Sequence, residues 1–412
     1  MPRCWISLLL LAAAVPAVAT PPAPPVEELV GNALERSPAL AARRAAVAAS
    51  REMEGPARAL PDPMVEAMIQ NADFPEWTVG TMDMSMAGIE VSQDLLYPGK
   101  RRARFAAAQA DTAVRAAELA VEERRVAAEV RLLYAKLYAV DRERQSLAAA
   151  AELVDMLQTT ASTRYATGGS EQEALLKAQL RVSRLGEQID DLEAERAGRV
   201  AELNRWLDRP GDALLGDVAA LPPVSAPGAG WERAAAEASP DVTRARAAVA
   251  AAQERLALAR LETKPNLIPS AGLATRGSLG SVLTLRFGVE LPAWKKNKQA
   301  GMIRAAEAEL EMARRELDDA LAQAQAEATR LTVRFRLAER QIVRFREGIL
   351  LQTSATLDAA RASYLAGRGD FSTIIEDFDL WLEARVQLTR READRFAAWA
   401  EMEQLSPAGG RP

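Results

Sequence analysis

From Val282 to Leu291 the chain alternates without a break, with Leu283, Leu285, Phe287, Val289 and Leu291 on one side and Thr284, Arg286, Gly288 and Glu290 on the other. Period two over about ten residues predicts a strand, long enough to cross a bilayer with one face in lipid and one in water. A partner strand is expected at 266–275, with Arg276 to Ser281 as the turn. Met64 to Asn71 and Ala87 to Leu96 predict an equivalent, less regular hairpin earlier in the chain. On alternation alone a soluble, half-buried hairpin remains open. Everywhere else apolar residues recur at helical spacing, and helices are expected near 26–55, 100–164 and 173–208, then near 231–263, 298–364 and 371–405.

These elements repeat. Ser37-Pro38 returns as Ser239-Pro240, the segment Val91 to Lys100 as Val289 to Lys298, and Tyr165-x-x-Gly168 as Tyr364-x-x-Gly367. Landmarks kept in order at one spacing of about 200 residues indicate a duplicated unit. The expected organisation is a cleaved leader at 1–19, a first repeat at 20–208, a Pro/Gly-rich linker at 209–230, a second repeat at 231–405 and a tail at 406–412. In each repeat the two shorter helical segments together match the long one, which at 1.5 Å per residue extends roughly 100 Å. Each repeat therefore reads as a tall hairpin. Its apolar stripes, for example Leu310, Leu317, Leu321 and Leu331, are expected to pack on neighbouring chains. The fold class is mainly α with a small β part, built from tandem long α-hairpins. Four strands cannot close a barrel, and open edges are not tolerated in lipid, so a membrane barrel has to be shared between copies.

Composition narrows the chemistry. Of 412 residues 49% are apolar and only 5% aromatic, His is absent, and Cys4 is the sole cysteine. Histidine base catalysis, Cys/His nucleophile pairs, disulfides and ordinary zinc sites are excluded, and neither an enzyme nor a resident cofactor is expected. The net charge of −5 is spread along the chain, so no nucleic-acid partner is expected. Met1-Pro2-Arg3, the apolar run Trp5 to Val15 and the small residues before Thr20 predict an export signal cleaved after Ala19.

Two clusters carry candidate chemistry. Lys100, Arg101 and Arg102 follow the first hairpin, and Lys295, Lys296 and Lys298 follow the second. Cations are mildly unfavourable at a helix N-terminus, yet these occur twice, and they are assigned to anionic lipid headgroups at the inner membrane rim. Phe74, Trp77, Tyr97 and Trp294 sit near the strand ends, where membrane barrels carry interfacial rings. Met82, Met84 and Met86 are candidate thioether ligands for Cu(I) or Ag(I); the alternative is flexible apolar filler in a loop.

With export signal, duplicated hairpins and Tyr-x-x-Gly ends, the sequence resembles the TolC-type outer-membrane efflux channels. The most specific parts are Asp94-Leu95-Leu96-Tyr97-Pro98-Gly99-Lys100 and Tyr364 to Glu376, and Leu60-Pro61-Asp62-Pro63-Met64 resembles the branch serving heavy-metal pumps. The resemblance implies a homotrimer in the outer membrane, with a twelve-stranded barrel continuous with a periplasmic α-barrel. It also implies a periplasmic adaptor and an inner-membrane pump, of RND type, as partners. A gate of tyrosine, arginine and acid at the helical tip is implied as well. Here Tyr364 matches the tyrosine, Arg368 stands beside the usual arginine position, Gly369, and Glu376 keeps one acid where Thr373 replaces the other. Asp370 and Asp377 lie close by, and the tip turns carry Tyr165, Gly168 and Gly367. The rival reading, a periplasmic coiled-coil adaptor or scaffold without its own pore, would require lipoyl-like and many-stranded domains.

Overall fold

The computed structural model describes residues 22–73, 75–82, 84–166, 172–366 and 368–406. The leader at 1–19, Phe74, Gly168, Gly367 and the tail from 407 lie outside the described residues.

Helices dominate. Helices α1 (Val26–Arg36), α2 (Pro38–Glu52) and α3 (Glu54–Arg58) lead to strands β1 (Met64–Gln70) and β2 (Met86–Ser92). They are followed by α4 (Lys100–Ala166) and α5 (Gln172–Trp206). The second repeat has α6 (Trp231–Ala238), α7 (Pro240–Leu261), β3 (Asn266–Thr275) and β4 (Ser281–Glu290), and then α8 (Ala300–Arg344), α9 (Leu350–Leu365) and α10 (Phe371–Leu405). The expected continuous helices at 26–55 and 231–263 are broken at Ser37-Pro38 and Ser239-Pro240, with proline at the first position of the new helix in both. Proline supplies no N–H and pushes the residue before it out of the helical region, so each Ser-Pro ends one helix and starts the next. A π-turn opens the α8 column at Lys295–Gln299, and another joins α8 to α9 at Phe345–Ile349.

The strands form one antiparallel sheet in the order β1-β2-β3-β4. Strand β2 is longer than its regular part, because Gln93 N–H donates to Pro269 O at 3.1 Å and Leu95 N–H to Leu267 O at 2.8 Å in unbroken register. Gly88 leaves no room for a side chain toward β3: a Cβ there would run into the Leu273 carbonyl oxygen and Ala274.

Helices follow the same order as strands. Helix α4 packs on α1 to α3 and α5 on one side and on α7 and α10 on the other, while α8 packs on α6, α7 and α10. Four columns therefore stand side by side, each continuous with its own strand, and both outer columns and both outer strands present open edges on the same two sides. The core runs between columns. Near the middle Val130, Leu137, Leu203 and Phe396 are buried together, and toward the tip Val154, Leu185, Ile374 and Phe378 are. The stripe expected to need a neighbouring chain is satisfied internally: Leu310 and Leu331 are buried, and Leu317 and Leu321 pack against Ala324 and Val242 within the chain. Exposed apolar residues of this column include Met302, Met312, Val333, Leu337, Val343 and Leu351. They alternate around the helix with the buried set, so composition alone could not separate the faces.

The inter-repeat segment is not a free linker. Asp141, fully buried on α4, accepts from Val218 N–H at 2.8 Å and pairs with Arg196 at 2.6 Å. Arg196 also donates to the carbonyls of Leu215 and Gly216, and Arg144 holds Asp217 at 2.5 Å. Ala23 N–H reaches Asp217 O, so the start of the described chain and this segment form a belt halfway along the bundle.

Candidate functional site

Pairing register decides the two faces of the sheet. Val65 stands opposite Val91, Ala67 opposite Ile89, Leu267 opposite Val289, Ala271 opposite Leu285, and Leu273 opposite Leu283. Ile89 and Val91 face Leu273 and Ala271 across the middle pair. Directly opposed residues share a face, so one apolar face runs across all the strands. It is uncovered: Phe287 is 84% and Leu283 67% exposed. On the opposite face lie Met64, Glu66, Met68, Gln70, Met86, Glu90, Ser270, Thr284, Arg286 and Glu290, with Arg286 and Glu90 paired at 2.7 Å and Glu90 buried. The apolar face suits hydrocarbon and the charged one an aqueous lumen. Trp77 at one end, and Tyr97 and Trp294 at the other, are exposed.

The basic residues after the strands divide. Arg101, Arg102, Lys295, Lys296 and Lys298 are exposed. Lys100 does not belong with them, which corrects its assignment to the rim. It is 1% exposed, and its Nζ donates to Lys264 O at 2.8 Å and Asn266 Oδ1 at 2.9 Å while pairing with Glu262 at 3.2 Å. Glu262 is also held by Arg104 at 3.0 Å, and Asn266 accepts from Tyr97 N–H and donates to Glu290. Burial works to raise the Glu262 carboxyl, but hydrogen bonds from Arg104 and Lys100 outweigh it and leave the carboxyl below its ordinary value. Lys100 therefore bolts the two repeats together where sheet meets helices.

At the far end the tip residues separate in the same way. Tyr364 is buried, its ring edge-on to Phe371 at 5.7 Å. Arg368, Asp370 and Glu376 are exposed and Asp377 is half-buried; Tyr165 is exposed on the other hairpin. The arginine position of the resembling family is Gly369 for a local reason: a Cβ there would meet Tyr364 N at 3.0 Å, while the Arg368 and Gly369 N–H groups both cap Ser363 O. A cation from α5 stands among the acids instead. Lys177 pairs with Glu173 at 2.7 Å and donates to Ser372 Oγ at 2.8 Å. Its ammonium is held above the ordinary lysine value, chiefly by the hydrogen bond to Glu173, with Asp370 and Glu376 adding to it. One turn on, Arg181 meets Asp379 at 2.5 Å and stacks over Phe378. Burial pushes the Asp379 carboxyl up, against the pull of Arg181 and Arg184. Sequence reading missed Lys177 and Arg181, since the Ser372 and Asp379 they meet lie on α10, about 200 residues away.

The methionines also fall differently from expectation. Met82 and Met84 are exposed in the loop, whereas Met86 opens β2 on the charged face, which Met64 and Met68 share. No group of His, Cys, Asp or Glu suited to a metal ion occurs among the described residues.

A sheet with one lipid-ready face, standing on helices and open at both edges, defines a wall segment of a membrane channel completed by other copies. Residues 29–207 match the family described as Outer membrane efflux protein. The fold extends the likeness across both repeats. The VceC outer membrane protein from Vibrio cholerae shares 16% identity at a TM-score of 0.77, covering 93% of this chain and 96% of its own. The CmeC outer membrane channel from Campylobacter jejuni shares 14% at 0.78, covering 92% and 85%. The open state of the MtrE outer membrane channel from Neisseria gonorrhoeae shares 15% at 0.71, covering 93% and 90%. No curated protein sequence matches the chain. Over residues 29–207 the chain is therefore similar to the outer membrane efflux proteins, and over both repeats it has the fold of these outer membrane channels.

Proposed function

We propose that three copies of this chain form a passive exit channel through the outer membrane, receiving substrate from an inner-membrane pump of RND type through a periplasmic adaptor. The observation that carries the reading is the alignment of open edges. Strands β1 and β4 are unpaired on their outer sides, and the columns beneath them, α1 to α3 with α5 and α8 with α9, are unpartnered on those same sides. An open strand edge is not stable in lipid, so β4 of one copy pairs with β1 of the next, and three copies close a ring of twelve strands. The exposed Met302, Met312, Val333 and Leu337 then gain a neighbour. Arg101, Arg102, Lys295, Lys296 and Lys298 meet lipid headgroups at the inner rim. Around the axis Tyr364, Arg368, Asp370, Glu376 and Asp377, with Lys177, form the periplasmic gate.

Cell fractionation with a heat-modifiability gel, followed by planar-bilayer recording, tests this. A heat-dissociable trimer in the outer membrane that conducts ions is expected. A soluble periplasmic monomer would overturn the channel and favour a scaffold.

A further inference from the structure

Five of the 11 methionines fall between positions 64 and 86, on or beside one hairpin, and the equivalent stretch 266–291 of the other repeat has none. Lipid pattern does not explain this, because Met64, Met68 and Met86 occupy the charged face and not the apolar one. Their register is specific. Met68 stands opposite Gly88, whose place on this face is closed by Ala274 of β3, and Met86 stands opposite Gln70, so Met68 and Met86 are diagonal neighbours. Diagonal pairs on one face lie about 7–8 Å apart, within joint reach of two long, flexible side chains. Asn71 Nδ2 donates to the Met84 carbonyl at 3.4 Å, so the exposed Met84 lies in the loop beside the end of β1, held at φ 62°, which its side chain does not favour. Glu66 and Glu90 lie on the same face.

We propose that Met68, Met86 and Met84 form a thioether site on the lumen wall for soft monovalent cations, Cu(I) or Ag(I), met by the cargo near its exit. The site rests on the channel reading in one respect: the charged face lines the pore. Thioethers are neutral, soft donors that select these ions over hard or borderline ones. The exposed Glu66 carboxylate draws cations toward the wall without itself being a soft ligand, while Glu90 is already paired with Arg286. Holding the ion by thioethers alone lets it leave, since no thiolate or imidazole is available in the hairpin to trap it.

The test measures Ag(I), as nitrate in chloride-free buffer, bound by the purified full-length trimer in detergent at equilibrium dialysis. Saturable binding of one Ag(I) per protomer is expected, with Zn(II) not competing. Loss of even a supporting group commonly weakens a metal site by roughly 10–100-fold, so Met68→Leu with Met86→Leu should raise the dissociation constant at least that far. Leu conserves the apolar bulk, and single Met86→Leu serves if the double variant fails to assemble. Met53→Leu with Met156→Leu, exposed methionines in the helical columns away from the sheet, should leave binding unchanged. Wild-type affinity in the lumen variants, or an equal loss in the control pair, would overturn the site. Ag(I) binding is read in detergent and K⁺ conductance in bilayers, so a channel without the site and a site without a channel give different results.

Discussion

Replacing Lys100 by methionine removes a buried ammonium while keeping most of its bulk, and the structure allows the cost to be worked out. Three acceptors lose a donor: Lys264 O, Asn266 Oδ1 and Glu262. Two of them are not orphaned. Glu262 keeps Arg104 at 3.0 Å and is 27% exposed, and Asn266 Oδ1 keeps Tyr97 N–H. The Lys264 carbonyl loses its charged donor but belongs to an exposed residue that water can reach, so its cost falls at the low end of the about 1–3 kcal/mol of an unsatisfied buried group. Hydrogen bonds to charged groups add about 1.5–3 kcal/mol, part of which the remaining partners recover. The net loss should be roughly 2–4 kcal/mol per protomer, below the ceiling for an ion pair left with one bare buried charge. It recurs in every copy of a trimer. The assay is the temperature at which the trimer band dissociates on semi-native gels, read beside outer-membrane abundance. Lys100→Met should lower both, and Arg101→Met, at an exposed neighbour, should change neither. Equal behaviour of the two variants would return Lys100 to the headgroup rim and refute the bolt.

Other expectations follow from the two faces, the bolt and the tip. Leu285→Arg, on the lipid face, should cost roughly 2–4 kcal/mol near the bilayer midplane and reduce outer-membrane levels, while Thr284→Arg, on the lumen face, should be tolerated; equal losses would show the faces misassigned. Glu262 has a folded value below its ordinary 4.5, so its stabilising contribution is complete above that value and is lost as pH falls through the lower folded one. Trimer thermal stability should therefore drop on acidification below about pH 4.5 in the wild type and less in Glu262→Gln, where Glu122 and Glu327, also held below their ordinary value by arginines, still contribute. Lys177→Met combined with Arg181→Met should release α5 from α10 and raise single-channel conductance, and unchanged conductance would place closure elsewhere. Tyr364→Phe, whose ring packing on Phe371 survives, should leave trimer abundance intact whatever it does to the gate.

Where one residue decides its own fate, the sequence was legible. Strand β4 alternates strictly because each of its faces meets one solvent, and β3 and β4 fall where expected. Ser37-Pro38 and Ser239-Pro240 were visible as a repeat and equally readable as helix breaks, a signal that their use as landmarks passed over. Burial set by distant partners was not legible. Lys100 reads like Arg101 until Lys264 and Asn266, more than 160 positions on, close over it. Lys177 reads as one more surface cation on α5 until α10 brings Ser372 to it. Gly369 looks like a lost arginine, and only the packed turn at Ser363 and Tyr364 shows that a side chain there would be tight against the backbone and need the turn to shift. The methionines needed the register: adjacency along the chain grouped Met82 with Met84 and Met86, whereas pairing across the hairpin groups Met86 with Met68.

Shared edges also have a genetic consequence. Because every copy offers one side to each neighbour, a protomer that folds but carries a spoiled edge is still admitted to assemblies and disables them. With mutant and normal alleles expressed equally and mixing at random, only about one trimer in eight would be free of the defective copy. Lesions on the outer strand β1 or on the exposed side of α8 should therefore be dominant. Lesions that prevent a chain from folding at all should be recessive, since such a chain never joins a ring.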